Sequence, residues 1–321
     1  MFFQRFGIGC SVPQLSWSFS VCGDRGPTLP PDRADEDGLL RQIGEIVASS
    51  GNRVHMSPFR QRLNLALKDI KDGVCSFNIW VMLGWLEIKQ LYRRSTLGPI
   101  WLTISTGVLI LGMGPLYGRL LSQDLSRYVP YLAVGIVLWS FISALITESC
   151  NSYILAEGFI KELKLPYTVY VLRVVWKLLI MLGHNLVIVV LVLGYFRPSW
   201  GWEVLLVPFA VLLIAINGLW LGILMGLLSA RFRDIPLLVT SLVQIAFFLT
   251  PIFWKPSMLG EYQWTANLNP LFIFLEIVRA PLLGEPVHGS LWMAAFVVTV
   301  IGFSITLLLF SRYRARIAYW V

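Results

Sequence analysis

Side chains able to do chemistry are sparse here, and sparser still where the sequence is apolar. Lys177 and His184 sit inside an apolar run that holds almost nothing else ionisable. An ionisable group held within a bilayer is a candidate proton relay, while a lone polar residue in such a run serves equally as a hydrogen bond between helices. Cys10, Cys22, Cys75 and Cys150 are scattered without a CxxC pair, which fits neither zinc nor a disulfide framework. His55, His184 and His288 are as dispersed, so no metal site is expected. No GxxxxGK[ST] stretch could cradle ATP phosphates, and no GxSxG or HExxH is present. Paired carboxylates at helical spacing are missing from the apolar runs. These absences predict a chain with no catalytic residues and no cofactor of its own.

Two polar connections carry the remaining candidates. Residues 150–172 read CNSYILAEGFIKELKLPYTVYVL, with helical character over 153–164. Ile154, Phe159, Ile160 and Leu163 are apolar there, Glu157, Lys161, Glu162 and Lys164 are charged, and Pro166 stops the helix. Such a helix could be pushed by a partner in the cytosol or could merely anchor at the interface. In the connection 255–289, Asn269-Pro270 opens a helix that continues through Leu271-Phe272-Ile273-Phe274-Leu275 to Glu276, Arg279 and Pro281. About a dozen residues are too few to cross a bilayer, so the segment fits a re-entrant hairpin suited to a gate, or else a helix lying flat on the outer leaflet. Among 13 tryptophans, most fall at the ends of apolar runs as interfacial belts. Trp139, Trp176 and Trp220 lie deeper and are candidates for a sugar-stacking path, with ordinary packing as the alternative.

The elements that must position these residues follow from composition. The chain is 56% hydrophobic and only 14% charged, against about 25% charged in a soluble domain, so lipid must cover most of it. Apolar runs of bilayer length fall at 98–118, 129–149, 173–195, 204–228, 237–254 and 290–310. The chain therefore reads as an all-α integral membrane protein with six spans over 98–321. The net charge of +8 sets orientation and does not point to nucleic acid, since it forms no clustered basic face. Segments placed inside hold Arg60, Arg62, Lys68, Lys71, Lys89, Arg93, Arg94, Lys161, Lys164, Arg173, Arg231, Arg233, Arg312, Arg314 and Arg316. The outer loops hold Arg119, Arg127, Arg197, Lys255 and Arg279. A bias of roughly three to one puts both termini in the cytoplasm.

Ahead of the spans, residues 1–55 mix Pro, Gly and Asp without an apolar period, which predicts a disordered extension; an alternative start lies at Met56. Residues 56–97 read as cytoplasmic and interfacial helices. Within 76–94, Phe77, Trp80, Val81, Gly84, Ile88, Leu91 and Tyr92 share one side of a helix, and Glu87, Gln90, Arg93 and Arg94 the other. That pattern suits an amphipathic helix in the membrane interface.

Taken together, several segments resemble a known group. Tyr92-Arg93-Arg94-Ser95-Thr96-Leu97-Gly98-Pro99-Ile100-Trp101-Leu102 looks like the opening of the first span in type-2 ABC export permeases, specifically those for lipid-linked O-antigen and related cell-surface polysaccharides of bacteria. Glu157-Gly158-Phe159-Ile160-Lys161 through Leu165-Pro166 resembles that family's first cytoplasmic loop, and Ala230-Arg231-Phe232-Arg233-Asp234-Ile235 its second. Thr250-Pro251-Ile252-Phe253-Trp254 is similar to the outer end of its fifth span. Asn269-Pro270-Leu271, with Glu276-Ile277-Val278-Arg279-Ala280-Pro281-Leu282-Leu283-Gly284, is similar to its outer gate. The basic, aromatic tail 313–320 also matches, so the likeness covers 56–321.

The resemblance implies a half-transporter in the bacterial inner membrane. A second copy of the chain would complete the pathway, and separate ABC ATPase subunits would bind ATP and magnesium. The substrate would be a polysaccharide on undecaprenyl diphosphate. ATPase coupling would fall to Glu157, Phe159, Ile160, Lys161, Leu163, Lys164 and Pro166, together with Arg231, Arg233 and Asp234. The outer gate would use Pro251, Trp254, Asn269, Pro270, Glu276 and Arg279. Rival expectations are a type-2 permease for a drug or small lipid, and a membrane-embedded glycan-processing enzyme, which would need convergent acids or histidines at one interface.

Overall fold

The computed structural model describes residues 58–321 except Arg94, Thr96, Leu97 and Pro99. The expected extension over 1–55 and the alternative start at Met56 lie outside the described residues, as does Arg94 of the expected interfacial helix. Among the described residues the chain is helical and has no strand. Two helices precede the apolar bundle, α1 (Pro58–Cys75) and α2 (Phe77–Leu91). The bundle holds α3 (Ile100–Leu120), α4 (Leu125–Cys150), α6 (Tyr167–Phe196), α7 (Val207–Arg231), α8 (Ile235–Leu249) and α10 (Gly289–Tyr313). Shorter pieces are α5 (Glu157–Glu162), α9 (Pro270–Leu282) and the terminal α11 (Ile317–Trp320).

Among the described residues, five helical stretches are long and apolar enough to cross a membrane: Ile100–Leu120, Leu125–Cys150, Tyr167–Phe196, Trp202–Arg231 and Gly289–Trp320. The expected run at 237–254 is shorter than anticipated, because α8 ends at Leu249 after 15 residues. At about 1.5 Å per residue it reaches only about 22 Å of a core about 30 Å thick. Pro251 explains the stop: it pushes Thr250 into extended backbone (φ −93°, ψ 134°) and cannot donate to the helix.

The α4 helix forms the middle of the bundle, packed by α3, α6, α7, α8 and α9. Its residues Leu132, Ala133, Val134, Val137 and Leu138 are enclosed. Asp124 caps it, accepting from the Ser126 amide at 3.1 Å and the Ser126 hydroxyl at 2.7 Å; these bonds hold its carboxyl below the usual range. Burial in a membrane gains little from hydrophobicity, since lipid is also apolar, so helices associate where small residues let backbones approach. Gly218, Gly222 and Gly226 form such a stripe on α7. A methyl added at Gly222 would lie 2.4 Å from Val171 of α6, and one at Gly226 would lie 2.5 Å from Ser152. Across the bundle, Asn217 Nδ2 donates to Thr299 Oγ1 of α10 at 2.8 Å, and the Trp220 ring lies against Gly302.

The amphipathic reading of α2 needs one correction. Gly84 and Ile88 face the bundle as expected, but Glu87 does not face water. It pairs with Arg173 at 3.0 Å and Lys177 at 3.2 Å, and Lys177 also pairs with Glu148. A carboxylate on the supposedly polar side thus ties α2 to α6, because Arg173, buried on α6, would otherwise lack a carboxylate partner.

Candidate functional site

The candidates expected on the cytoplasmic side are organised by how the chain leaves α4 and enters α6. The expected helix over 153–164 is broken. A 3-10 turn, Ile154–Ala156, leads into α5, which is only Glu157–Glu162. Tyr153 and Ala156 are fully buried, and the Tyr153 ring lies against the space left by Gly226. Hugging α7 in this way bends the chain, and Leu163 then becomes extended (φ −113°, ψ 130°). Phe159 is 44% exposed and Leu163 also faces out, whereas Ile160 packs inward. Glu157 accepts from Lys161 Nζ at 2.6 Å, a bond that holds the Glu157 carboxyl below its ordinary range. Lys164 is exposed, and Pro166 occupies the N-cap of α6.

The turn between α7 and α8 meets this surface through the carboxyl-terminal tail. Arg233 donates to the Trp320 and Val321 carbonyls at 3.5 and 3.3 Å. Arg231 stands 5.2 Å from the centres of the Phe232 and Trp320 rings, and Asp234 sits at the N-cap of α8. The tail helix α11 touches both α7 and α5. The structure therefore brings Arg231 and Arg233 to the same face as α5 through a tail that sequence reasoning treated only as basic and aromatic.

A buried charge that the sequence reading passed over lies beside them. Asp69 of α1 is fully enclosed and pairs with Arg314 at 2.7 Å. It also accepts from the Tyr167 amide at 3.2 Å, the Thr168 amide at 3.1 Å and the Thr168 hydroxyl at 2.9 Å.

The outer candidates converge on another buried cation. Arg279 is 0% exposed. It donates through Nε to Glu276 at 2.9 Å and through Nη1 to the Pro251 carbonyl at 2.7 Å, with Nη2 also on Glu276. Its guanidinium lies 3.9 Å from the centre of the Tyr131 ring. The Tyr131 hydroxyl donates to the Pro251 and Trp254 carbonyls at 3.2 and 2.9 Å. The backbone after α8 leaves these carbonyls without helical partners, and Arg279 and Tyr131 supply them. Gly135 makes room, since a methyl there would lie 3.1 Å from the Ile252 carbonyl.

Asn269 caps α9 by accepting from the Leu271 amide at 2.9 Å and donates from Nδ2 to Thr250 at 2.9 Å. Pro270, Leu271 and Phe274 share a cavity of about 240 Å³ with Ile142, Asn217 and Trp220. Those last residues lie well inside their helices, so α9 starts deep in the bundle. Its Phe272, Ile273, Leu275, Ile277 and Val278 are buried by the rest of the chain. Gly284 closes the element in left-handed backbone (φ +75°) against the Ser199 carbonyl, a conformation and fit that a side chain would disrupt.

The tryptophans part company. Trp139 packs on Phe247 of α8, Trp176 on Trp80 of α2, and Trp220 on Gly302 while donating to Asn217 at 2.7 Å. His184 Nδ1 lies 2.8 Å from the Ile180 carbonyl of its own helix.

Sequence reasoning thus missed Asp69, the inward Glu87 and Tyr131. An acid set between Lys68 and Lys71, four residues before Gly73, was the available signal for Asp69, though Asp72 follows it in the same helix; Tyr131 looked like one more interfacial aromatic.

A model of the family described as ABC-2 type transporter matches residues 79–283, a stretch that takes in α5, the Arg231–Asp234 turn and the cluster around Arg279. An O-antigen export system permease protein RfbA of Klebsiella pneumoniae is 23% identical over 251 residues, covering 75% of this chain and 94% of that protein. A second protein of that name and organism is 24% identical over the same shares. The Myxococcus xanthus protein of that name is 25% identical over 198 residues, 60% of this chain and 76% of its own.

Proposed function

The chain belongs to the ABC-2 type transporter family, and from that premise we propose that it is the permease subunit of an inner-membrane exporter for polysaccharide carried on undecaprenyl diphosphate. Two copies would form the pathway, with both termini in the cytosol and a separate ATPase beneath. The alignment with O-antigen export permeases over nearly the whole of two of them carries the substrate class. The site supports the division of labour: α5, the Arg231–Arg233 turn and the tail form one composite face, and Phe159 and Leu163 project from it uncovered. The α8 helix has no buried residue, which supports a face free to meet a second copy.

Coupling through that face makes a sharp prediction. A buried apolar anchor costs about 2 kcal/mol or more when truncated, whereas rim charges cost little. Phe159→Ala should therefore weaken retention of the ATPase subunit roughly thirtyfold, and Lys164→Ala should barely change it. Co-purification from membranes with equal amounts of inserted chain reads both. Equal retention in the two variants would assign α5 to anchoring at the interface.

A further inference from the structure

We infer that Asp69 is the positioning residue of the inner loop, the carboxylate that makes the bundle move when α5 is pushed. The inference rests on reading 157–166 as the segment an ATPase acts upon.

The geometry begins with an unmet need. The first amides of α6 have no partner inside their own helix, and its N-cap residue, Pro166, offers no side-chain acceptor. Asp69, 98 residues earlier in the chain, supplies one instead. Oδ1 accepts from the Thr168 amide and hydroxyl; Oδ2 accepts from the Tyr167 amide and from Arg314. A carboxylate at a helix amino terminus is also favoured by the helix dipole.

The face that carries it is shaped for the contact. Ala66, Asp69 and Gly73 lie on one side of α1 at helical spacing. Ala66 is fully buried, and a methyl at Gly73 would lie 2.6 Å from the Thr168 Cβ. Arg314 then closes the cluster from the tail, with its guanidinium 5.5 Å from the centre of the Tyr167 ring, and Tyr167 meets Tyr153 edge-on. The amino-terminal helix, the exit of the inner loop and the carboxyl-terminal tail therefore meet at one carboxylate.

This arrangement answers a mechanical problem. Residues 163–166 between α5 and α6 are not helical, and a slack connection would absorb a push. Fixing the first turn of α6 to two other elements passes the displacement into Tyr167–Phe196 as a rigid body.

The test uses the full chain with its ATPase subunit in phosphatidylethanolamine–phosphatidylglycerol vesicles. The probe is lipid-linked glycan extracted from cells deleted for this chain. In Asp69→Asn and Arg314→Gln, ATP hydrolysis and glycan movement are read separately, at equal amounts of assembled complex. Glycan moved per ATP should fall on the order of tenfold in each, within the range of a lost coupling between sites, and no further in the double variant, as for two members of one interaction. An unchanged ratio in both overturns the inference, and so does a loss confined to the amount of inserted chain, which marks a purely structural staple. Should Asp69→Asn fail to insert, Thr168→Val, which removes one donor, must still lower the ratio. A wild-type complex that hydrolyses ATP and moves no glycan would overturn the transport reading itself, an outcome separate from any difference between variants.

Discussion

Arg279→Ala should cost about 3–5 kcal/mol, the loss expected when one partner of a buried ion pair is removed. The arginine is wholly enclosed and holds three groups at once: the Glu276 carboxylate, the Pro251 carbonyl and the face of Tyr131. Its removal leaves Glu276 charged and unpaired in a largely enclosed position, and leaves the Pro251 carbonyl with only the longer bond from Tyr131. Arg279→Lys should rescue little, because an ammonium lacks the planar fork that spans Glu276 and Pro251. Glu276→Gln, which keeps an acceptor, should cost less than the alanine change. Thermal unfolding of the detergent-purified chain reads all three. An alanine variant as stable as the wild type would mean that the outer cluster is not held by this cation.

Gly222→Leu should be comparably damaging for a steric reason. The added Cβ alone would lie 2.4 Å from Val171 Cγ1 and 3.1 Å from Ser149 Oγ, so α4, α6 and α7 would have to separate. Overpacking a tight core typically costs about 1–3 kcal/mol and occasionally more, and here the crowding involves three helices. Gly183 is the control, since a methyl there meets nothing within 4 Å. Gly183→Ala should leave the chain unchanged or stabilise it by about 0.5–1 kcal/mol, the helix-propensity difference. The amount of correctly inserted chain and its unfolding temperature distinguish the two. Equal tolerance at both glycines would contradict the close approach along α7.

The legible parts of this fold were those written in local composition. Apolar runs located the long helices, because a bilayer demands about 20 such residues wherever one crosses. Asn269-Pro270 marked the start of α9, because both the cap and the missing amide act within a single turn. Pro251 and Arg279 were named as outer candidates, yet their contact at 2.7 Å spans 28 residues that no local pattern connects. Glu87 was placed on the polar side of α2 with Gln90 and Arg93; the two cations that claim it are on α6. Asp69 was harder still, since its partners Thr168 and Arg314 lie far along the chain. The glycine stripe on α7 was available as small residues every fourth position, a spacing that already signals close helix approach. The 3-10 turn Ile154–Ala156 ahead of α5 was not legible, because it follows from Tyr153 settling against Gly226.

Whether this chain carries a finished glycan outward is settled most directly by where that glycan stops when the chain is absent. In a strain deleted for it, inside-out and right-side-out membrane vesicles can be treated with a membrane-impermeant hydrazide after mild periodate oxidation. The predicted result is full-length glycan on its lipid carrier, labelled in the inside-out vesicles and unlabelled in the right-side-out ones. Full-length glycan labelled equally in the right-side-out vesicles, or a truncated glycan on either face, would contradict the exporter.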